Sequence, residues 1–144
     1  MGKRAIKFRG MSLSGKWFHG DLAQPKNDIS TNVKGGGAFI SNDYGIPHAY
    51  AVRPETVGQY IDVLDQEGVE IYESDIIEVT NEWDEKSVHT VFWGGKDYPA
   101  FDMKPELSDE INSISEMVCG DYQYKIIGNI YENSELLTNT TEEG

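Results

Sequence analysis

Short segments that alternate apolar and polar residues recur along this chain at intervals of roughly ten residues. Turn residues such as Gly68 and the pair Gly94-Gly95 separate these segments. Behind Ser108, a plausible helix N-cap, apolar residues recur instead every three or four positions, which predicts a short amphipathic helix that ends before Gly120. Because strands and helices do not alternate, the pattern excludes an α/β fold and predicts a mainly β barrel or roll of short antiparallel strands with one late helix.

Length and composition indicate one domain. The chain has 144 residues, 38% of them hydrophobic, which suffices for a single core with polar loops. We therefore predict one β domain over residues 1–137, in which residues 23–51, with the run Gly35-Gly36-Gly37, form a long loop region. Residues 138–144 have no apolar side chain and are predicted to be a disordered tail.

Two local patterns predict which faces of strands are exposed. Over residues 3–9, Ile6 and Phe8 alternate with Lys7 and Arg9, which predicts a half-buried strand with a basic outer face. Glu73 and Asp75 lie two positions apart, so a strand through them would place both carboxylates on one face.

The charges are unevenly distributed along the chain. There are 25 Asp and Glu against 12 Lys and Arg, a formal net charge of -13. The first 20 residues carry five bases and no acid, so the remaining residues carry -18, and eleven acids but no Lys or Arg lie between Arg53 and Lys86. Such a field repels phosphate backbones and anionic lipid but attracts basic proteins. We therefore expect no nucleic-acid binding through the basic residues Lys3, Lys7, Arg9 and Lys16, and no membrane association.

No motif for enzymatic chemistry is found. Lys96 follows Gly94-Gly95 but lacks the Ser or Thr and the first glycine of a phosphate-binding loop. The single Cys119 lies near the end of an apolar helical face, where a packed thiol is the usual interpretation. The histidines His19, His48 and His89, with Asp21 or with Glu73 and Asp75, show no compact metal-ligand spacing. We predict no enzyme, no catalytic residue, no metal and no cofactor, with a metal- or cysteine-dependent hydrolase as a remaining alternative.

Four blocks of sequence, the first of them in two segments, resemble one protein family. The opening segments 6–10 and 15–22, the central segments 54–60 and 70–77, and the closing segment 127–137 are similar, in order and spacing, to the motifs of the YopX family. The chain has Ile61-Asp62-Val63 where this family usually has Thr-Gly-Leu, Ser74 where it has Gly, and Ser134 where it often has Pro. A positive φ at position 74 would cost more with serine than with glycine, so the turn before Asp75 is expected to differ.

The resemblance implies a small SH3-like barrel and a phage- or prophage-encoded accessory protein in the cytoplasm of a bacterial host. It implies no activity, because the family has no catalytic residues that could be transferred to this chain. The cytoplasmic location also agrees with the absence of an 18-residue apolar run, of a signal peptide at Met1 and of a second cysteine.

Together these features predict a non-catalytic protein that binds a basic host or phage protein through its acidic surface. Carboxylates spaced along a strand can imitate a row of phosphates, so the partner could be a host defence or nucleic-acid enzyme. The alternative is a β-barrel module that associates with itself through strand edges and aromatic residues. The candidate partner-binding residues are Glu73, Asp75, Glu78, Glu82, Asp84 and Glu85.

Overall fold

The computed structural model describes residues 4–24, 37–42 and 48–137. The chain divides into two compact units, Met1–Asp62 and Val63–Gly144. The elements of the described residues are β1 (Phe8–Met11), β2 (Trp17–Ala23), β3 (Ala38–Asn42), β4 (His48–Val52), a 3-10 turn (Pro54–Thr56), β5 (Gly58–Leu64), β6 (Glu70–Tyr72), β7 (Asp75–Thr80), β8 (Lys86–Trp93), β9 (Phe101–Lys104), α1 (Ser113–Cys119) and β10 (Gln123–Asn129). The prediction of a mainly β fold is confirmed, and α1 is the predicted short late helix. The predicted tail 138–144 lies outside the described residues, as do residues 25–36 and 43–47 of the predicted loop region 23–51. The loop prediction is wrong for much of the remainder, because Ala38–Asn42 and His48–Val52 pair as the antiparallel strands β3 and β4.

The first unit contains antiparallel strands in the order β4-β3-β2-β1-β5. Ala38, Ile40 and Val52 form its buried core. Gly10 on β1 allows a close approach, because a Cβ at this position would lie 2.7 Å from a methyl group of Val52. The Arg53 amide also donates a hydrogen bond to the Met11 carbonyl at 2.8 Å. These contacts bring the end of β4 back to β1, so the sheet curls around its core.

In the second unit, antiparallel strands follow the order β10-β7-β8-β9. Strand β7 is central, and its residues Ile76, Ile77 and Val79 are almost completely buried. Strand β5 runs across the boundary between the units, and the turn at residues 65–68 then leads to β6. Gly68, which the sequence analysis identified as a turn residue, has a φ of 83°, a conformation that glycine adopts readily. Both sheets are open in the described part of the chain, so the SH3-like detail of the predicted fold is not confirmed.

The first strand differs from its prediction. It begins only at Phe8, and Ile6 before it is 63% exposed. Arg9 was predicted on a solvent-facing side, but only 8% of its surface is exposed. The Arg9 guanidinium lies 4.7 Å from the ring centre of Trp17, which is an attractive cation–π contact. The predicted basic outer face is therefore wrong at Arg9, because an aromatic residue on the neighbouring strand covers it.

The helix α1 ends before Gly120 as predicted, but it begins later. Asn112, not Ser108, is its N-cap, because the Asn112 Oδ1 accepts a hydrogen bond from the Ser115 amide at 3.1 Å. The Ser108 hydroxyl donates to the Glu116 carboxylate instead, at 2.6 Å. Cys119 is exposed, so the prediction of a packed thiol is wrong.

Two non-glycine residues have positive φ where the resembled family usually has glycine. These are Asp62, with a φ of 65°, and Ser74, with a φ of 74°. Ser74 is held from both sides, since its amide donates to the Val91 carbonyl at 2.8 Å and its carbonyl accepts from the Ile130 amide at 3.0 Å. The backbone thus keeps a glycine-type conformation at a position occupied by serine, at a cost of about 1–2 kcal/mol.

The Ser74→Gly variant is expected to unfold about 3 °C higher than the wild type, because glycine adopts a positive φ without that cost. Thermal unfolding followed by circular dichroism measures the change. Ser74→Ala is the matched control: it removes the same hydroxyl, which lies 3.4 Å from that of Tyr131, but keeps the Cβ. Equal melting temperatures for the two variants would show that φ at this position carries no strain.

Candidate functional site

The turn between β7 and β8 is a well-ordered acidic projection. Asn81 organises it, because its Oδ1 accepts hydrogen bonds from the amides of Trp83 at 3.0 Å and Glu85 at 2.9 Å. The Asn81 amide also donates to the Glu85 carbonyl at 3.0 Å, and Asp84 adopts a φ of 61°. The backbone of the turn is therefore fixed by its own hydrogen bonds.

This turn presents an aromatic side chain among carboxylates. Trp83 is 71% exposed, and Glu82, Asp84 and Glu85 beside it are also exposed. We call these four residues the acidic turn. Trp83 was not selected as a candidate residue from the sequence. The sequence signal for Trp83 was its position between acidic residues in a predicted turn, where an aromatic side chain is expected to be exposed.

The other candidate residues of the acidic surface lie in different surroundings. Glu78 is partly buried, and its Oε1 lies 3.7 Å from the Lys86 Nζ and 3.9 Å from the Lys125 Nζ, so its charge is partly offset. Asp75 is only 2% exposed, and its Oδ2 accepts a hydrogen bond from the Tyr72 amide at 2.8 Å. Asp75 is therefore part of the interior rather than of a docking surface.

Glu73 lies in the turn between β6 and β7, outside both strands. The prediction that Glu73 and Asp75 share a strand face is wrong, because the positive φ of Ser74 interrupts the alternation between them. Of the six candidate residues, the structure brings together Glu82, Asp84 and Glu85.

A cleft of about 370 Å³ adjoins the acidic turn, and Asp84 belongs to both. The side chain of Gln66 forms part of its wall and holds the segment before β10 in place. Its Nε2 donates to the Tyr122 carbonyl at 3.2 Å, and its Oε1 accepts from the Tyr124 amide at 3.2 Å. Lys86 and Lys125 also line the cleft, so both signs of charge are present there.

A further carboxylate stays ionised near this surface. Hydrogen bonds from the hydroxyls of Ser108 and Tyr122 lower the pKa of Glu116. The same hydrogen bond from Tyr122 raises the pKa of that phenol, and the charge of Glu82 adds to the effect. The field of the acidic turn thus reaches Tyr122.

Asp65, by contrast, has a structural role. Burial alone would raise the pKa of this carboxyl, but hydrogen bonds from backbone amides, chiefly those of Val69, Ile126 and Glu67, lower it overall. Its Oδ1 accepts from Glu67 and Val69, each at 2.9 Å, and its Oδ2 accepts from Ile126 at 3.1 Å. The carboxylate therefore connects the turn after β5 to strand β10.

The histidines were the candidates for metal binding. His89 is buried, and burial lowers its pKa despite a hydrogen bond to the Pro105 carbonyl. Since a carbonyl only accepts, the His89 Nδ1 carries the proton, and its Nε2 accepts from the Ser87 hydroxyl at 2.6 Å. His19 is exposed on β2, and the side chain of His48 lies outside the described residues. Within residues 4–24, 37–42 and 48–137, no three His, Cys, Asp or Glu side chains are grouped as metal ligands.

Comparison with known proteins decides the family. The model of the YopX protein family matches residues 7–138. The chain belongs to the YopX family. No curated protein matches it. The YopX-family chain is similar in structure to protein EF1440 from Enterococcus faecalis, with a TM-score of 0.55 and 20% sequence identity, over 94% of this chain and 99% of that one. At this identity the similarity shows a shared fold.

None of the helices in the described part of the chain combines the length and the apolar character needed to cross a membrane.

Proposed function

We propose that this YopX-family chain is a non-catalytic binding protein whose acidic turn docks onto a basic protein. The observation that supports the proposal best is the 71% exposure of Trp83 between acidic neighbours in an ordered turn. Tryptophan is enriched among the interface residues that dominate binding energy, and here it lies in a fixed turn beside three carboxylates.

The chemistry of the acidic turn is suited to arginine and lysine side chains. The indole face attracts a guanidinium or ammonium group, and the carboxylates of Glu82, Asp84 and Glu85 can pair with it. Because Asn81 already fixes the backbone, the turn loses little conformational entropy when a partner binds.

The net charge of the second unit also favours a basic protein as the partner. Residues 63–144 contain four Lys and Arg against 20 Asp and Glu, a net charge of -16. Such a field accelerates encounter with a basic surface and repels the phosphate backbone of nucleic acid. We propose a phage- or prophage-encoded accessory protein in the bacterial cytoplasm, whose partner is a host protein with a basic nucleic-acid groove, such as a defence enzyme.

Affinity purification from a bacterial lysate tests this proposal. The wild type is expected to retain a basic protein that excess duplex DNA displaces, and the triple variant Glu82→Lys/Asp84→Lys/Glu85→Lys is expected to lose it. Trp83→Ala is expected to weaken binding to the identified partner by about 30-fold, as measured by calorimetry, because truncation of a hot-spot residue costs about 2 kcal/mol.

The matched control is Glu106→Lys/Asp109→Lys/Glu110→Lys, which reverses three exposed acids elsewhere in the same unit. It changes the net charge equally and is expected to retain the partner. If both triple variants lose the partner, net charge alone is responsible, and if both retain it, the acidic turn is not the docking site.

A further inference from the structure

The first unit contains an open groove of about 740 Å³ at one end of its curled sheet. The turn between β1 and β2, the start of β3 and the end of β4 form its walls. Phe39, Ala51, Val52 and Pro54 make the lining largely apolar. Its volume and lining are sufficient for aliphatic side chains of a partner.

Leu13 projects from the lip of this groove. It is 92% exposed, the highest value among the large hydrophobic residues that the structure describes. The turn that carries it is ordered, because the Ser12 amide donates to the Lys16 carbonyl and the Gly15 amide to the Ser12 carbonyl, each at 2.9 Å. An apolar side chain is thus held in water directly beside an apolar groove.

The rim of the groove carries one charge of each sign. The Arg53 Nε lies 3.0 Å from the Glu55 Oε1, and the two side chains are 43% and 61% exposed. A surface with an adjacent cation and anion can pair with a copy of itself, since a two-fold rotation places each charge opposite its counterpart.

We propose that two copies of the chain form a two-fold dimer through this face, with Leu13 of each copy in the groove of the other. In a two-fold interface the same surface of both copies meets, so a projecting side chain and the cavity that receives it must lie on that one surface. Leu13 and the groove meet this condition. Residues 1–62 carry eight Lys and Arg against five Asp and Glu, a net charge of +3, whereas residues 63–144 carry -16, so repulsion between like charges of two copies is weaker through the first unit than through the second. Arg53 of one copy then faces Glu55 of the other.

Sedimentation velocity over a range of protein concentrations tests the dimer. The wild type is expected to shift from monomer to dimer as its concentration rises. Leu13→Asp is expected to raise the dissociation constant by at least about 100-fold, because two apolar side chains leave the interface. Since Leu13 is exposed in the monomer, circular dichroism should show an unchanged fold.

The charge pair gives a second test. Arg53→Glu is expected to weaken the dimer, and the swap Arg53→Glu/Glu55→Arg is expected to restore it, because opposite charges again face each other. Ile111→Asp is the matched control, as it changes another exposed aliphatic residue, in the second unit, and should leave association unchanged.

Several outcomes would overturn the dimer: a wild type that stays monomeric at millimolar concentration, dissociation by Ile111→Asp as readily as by Leu13→Asp, or failure of the charge swap to restore association. Native mass spectrometry tests whether a small apolar molecule binds in the groove instead of a second chain. A monomer that carries such a molecule would also contradict the proposed dimer. These results are separable from the proposed function, because the acidic turn is intact in every variant.

Discussion

Replacement of Asp65 by alanine is expected to lower the free energy of unfolding by about 4 kcal/mol, because three backbone amides lose a charged hydrogen-bond acceptor. One of these amides belongs to Ile126, so the contact between the turn and β10 is lost as well. Urea denaturation measures the change. Glu67→Ala is the matched control: it removes an exposed acid from the same turn and should cost less than about 0.5 kcal/mol.

The contribution of Asp65 also depends on pH. Its pKa is lower in the folded state than the usual 3.8, so the unfolded state binds the proton more tightly. The stability that this shift provides is therefore fully present above the usual pKa and is lost as pH falls through the folded-state pKa. The difference in stability between wild type and Asp65→Ala should shrink below about pH 4. A difference that stays constant down to the lowest pH at which both proteins fold would contradict the assigned role.

Gly20→Ala is expected to lower the free energy of unfolding by at least about 3 kcal/mol, because the added Cβ would lie 2.1 Å from the Ser41 carbonyl oxygen on β3. Backbone atoms cannot rotate away as a flexible side chain can, so β3 must move from β2. Chemical denaturation measures the loss, and hydrogen exchange at the amides of β3 should increase.

The control for this variant is Gly15→Ala. Gly15 has a φ of 90°, but nothing lies within 4 Å of its added Cβ, so only the backbone cost of about 1–2 kcal/mol is expected. If the two variants are equally unstable, the contact between Gly20 and Ser41 does not constrain the sheet.

The local features of the fold were accessible from sequence. The positive φ at Gly68 follows from turn chemistry, and the end of α1 follows from Gly120, because both depend on neighbouring residues. The start of α1 was wrong by several residues, since Ser108 and Asn112 are both good N-caps. The structure uses Asn112, whose Nδ2 also donates to the Phe101 carbonyl at 2.8 Å.

Burial of charged residues could not be predicted in the same way. Arg9 is covered by Trp17 from the neighbouring strand, and Asp65 bonds Ile126, which is 61 positions away. The alternation of apolar and polar residues predicts on which face of a strand a side chain lies. It does not predict which residue of a neighbouring strand covers that side chain. For the candidate site, charge counting found Glu82, Asp84 and Glu85 and also included the buried Asp75, because composition does not distinguish an interior carboxylate from a surface one.

The side chain of Gln66 has a consequence for aggregation. Strand β10 is an outer strand of its sheet, and such strands can recruit a strand from another molecule and so begin a fibril. Here the Gln66 Oε1 accepts from the Tyr124 amide, and the backbone amide of Gln66 donates to the Tyr124 carbonyl. The Asp65 carboxylate accepts from the Ile126 amide. A foreign strand would first have to displace these hydrogen bonds, so this end of the sheet is protected against uncontrolled growth.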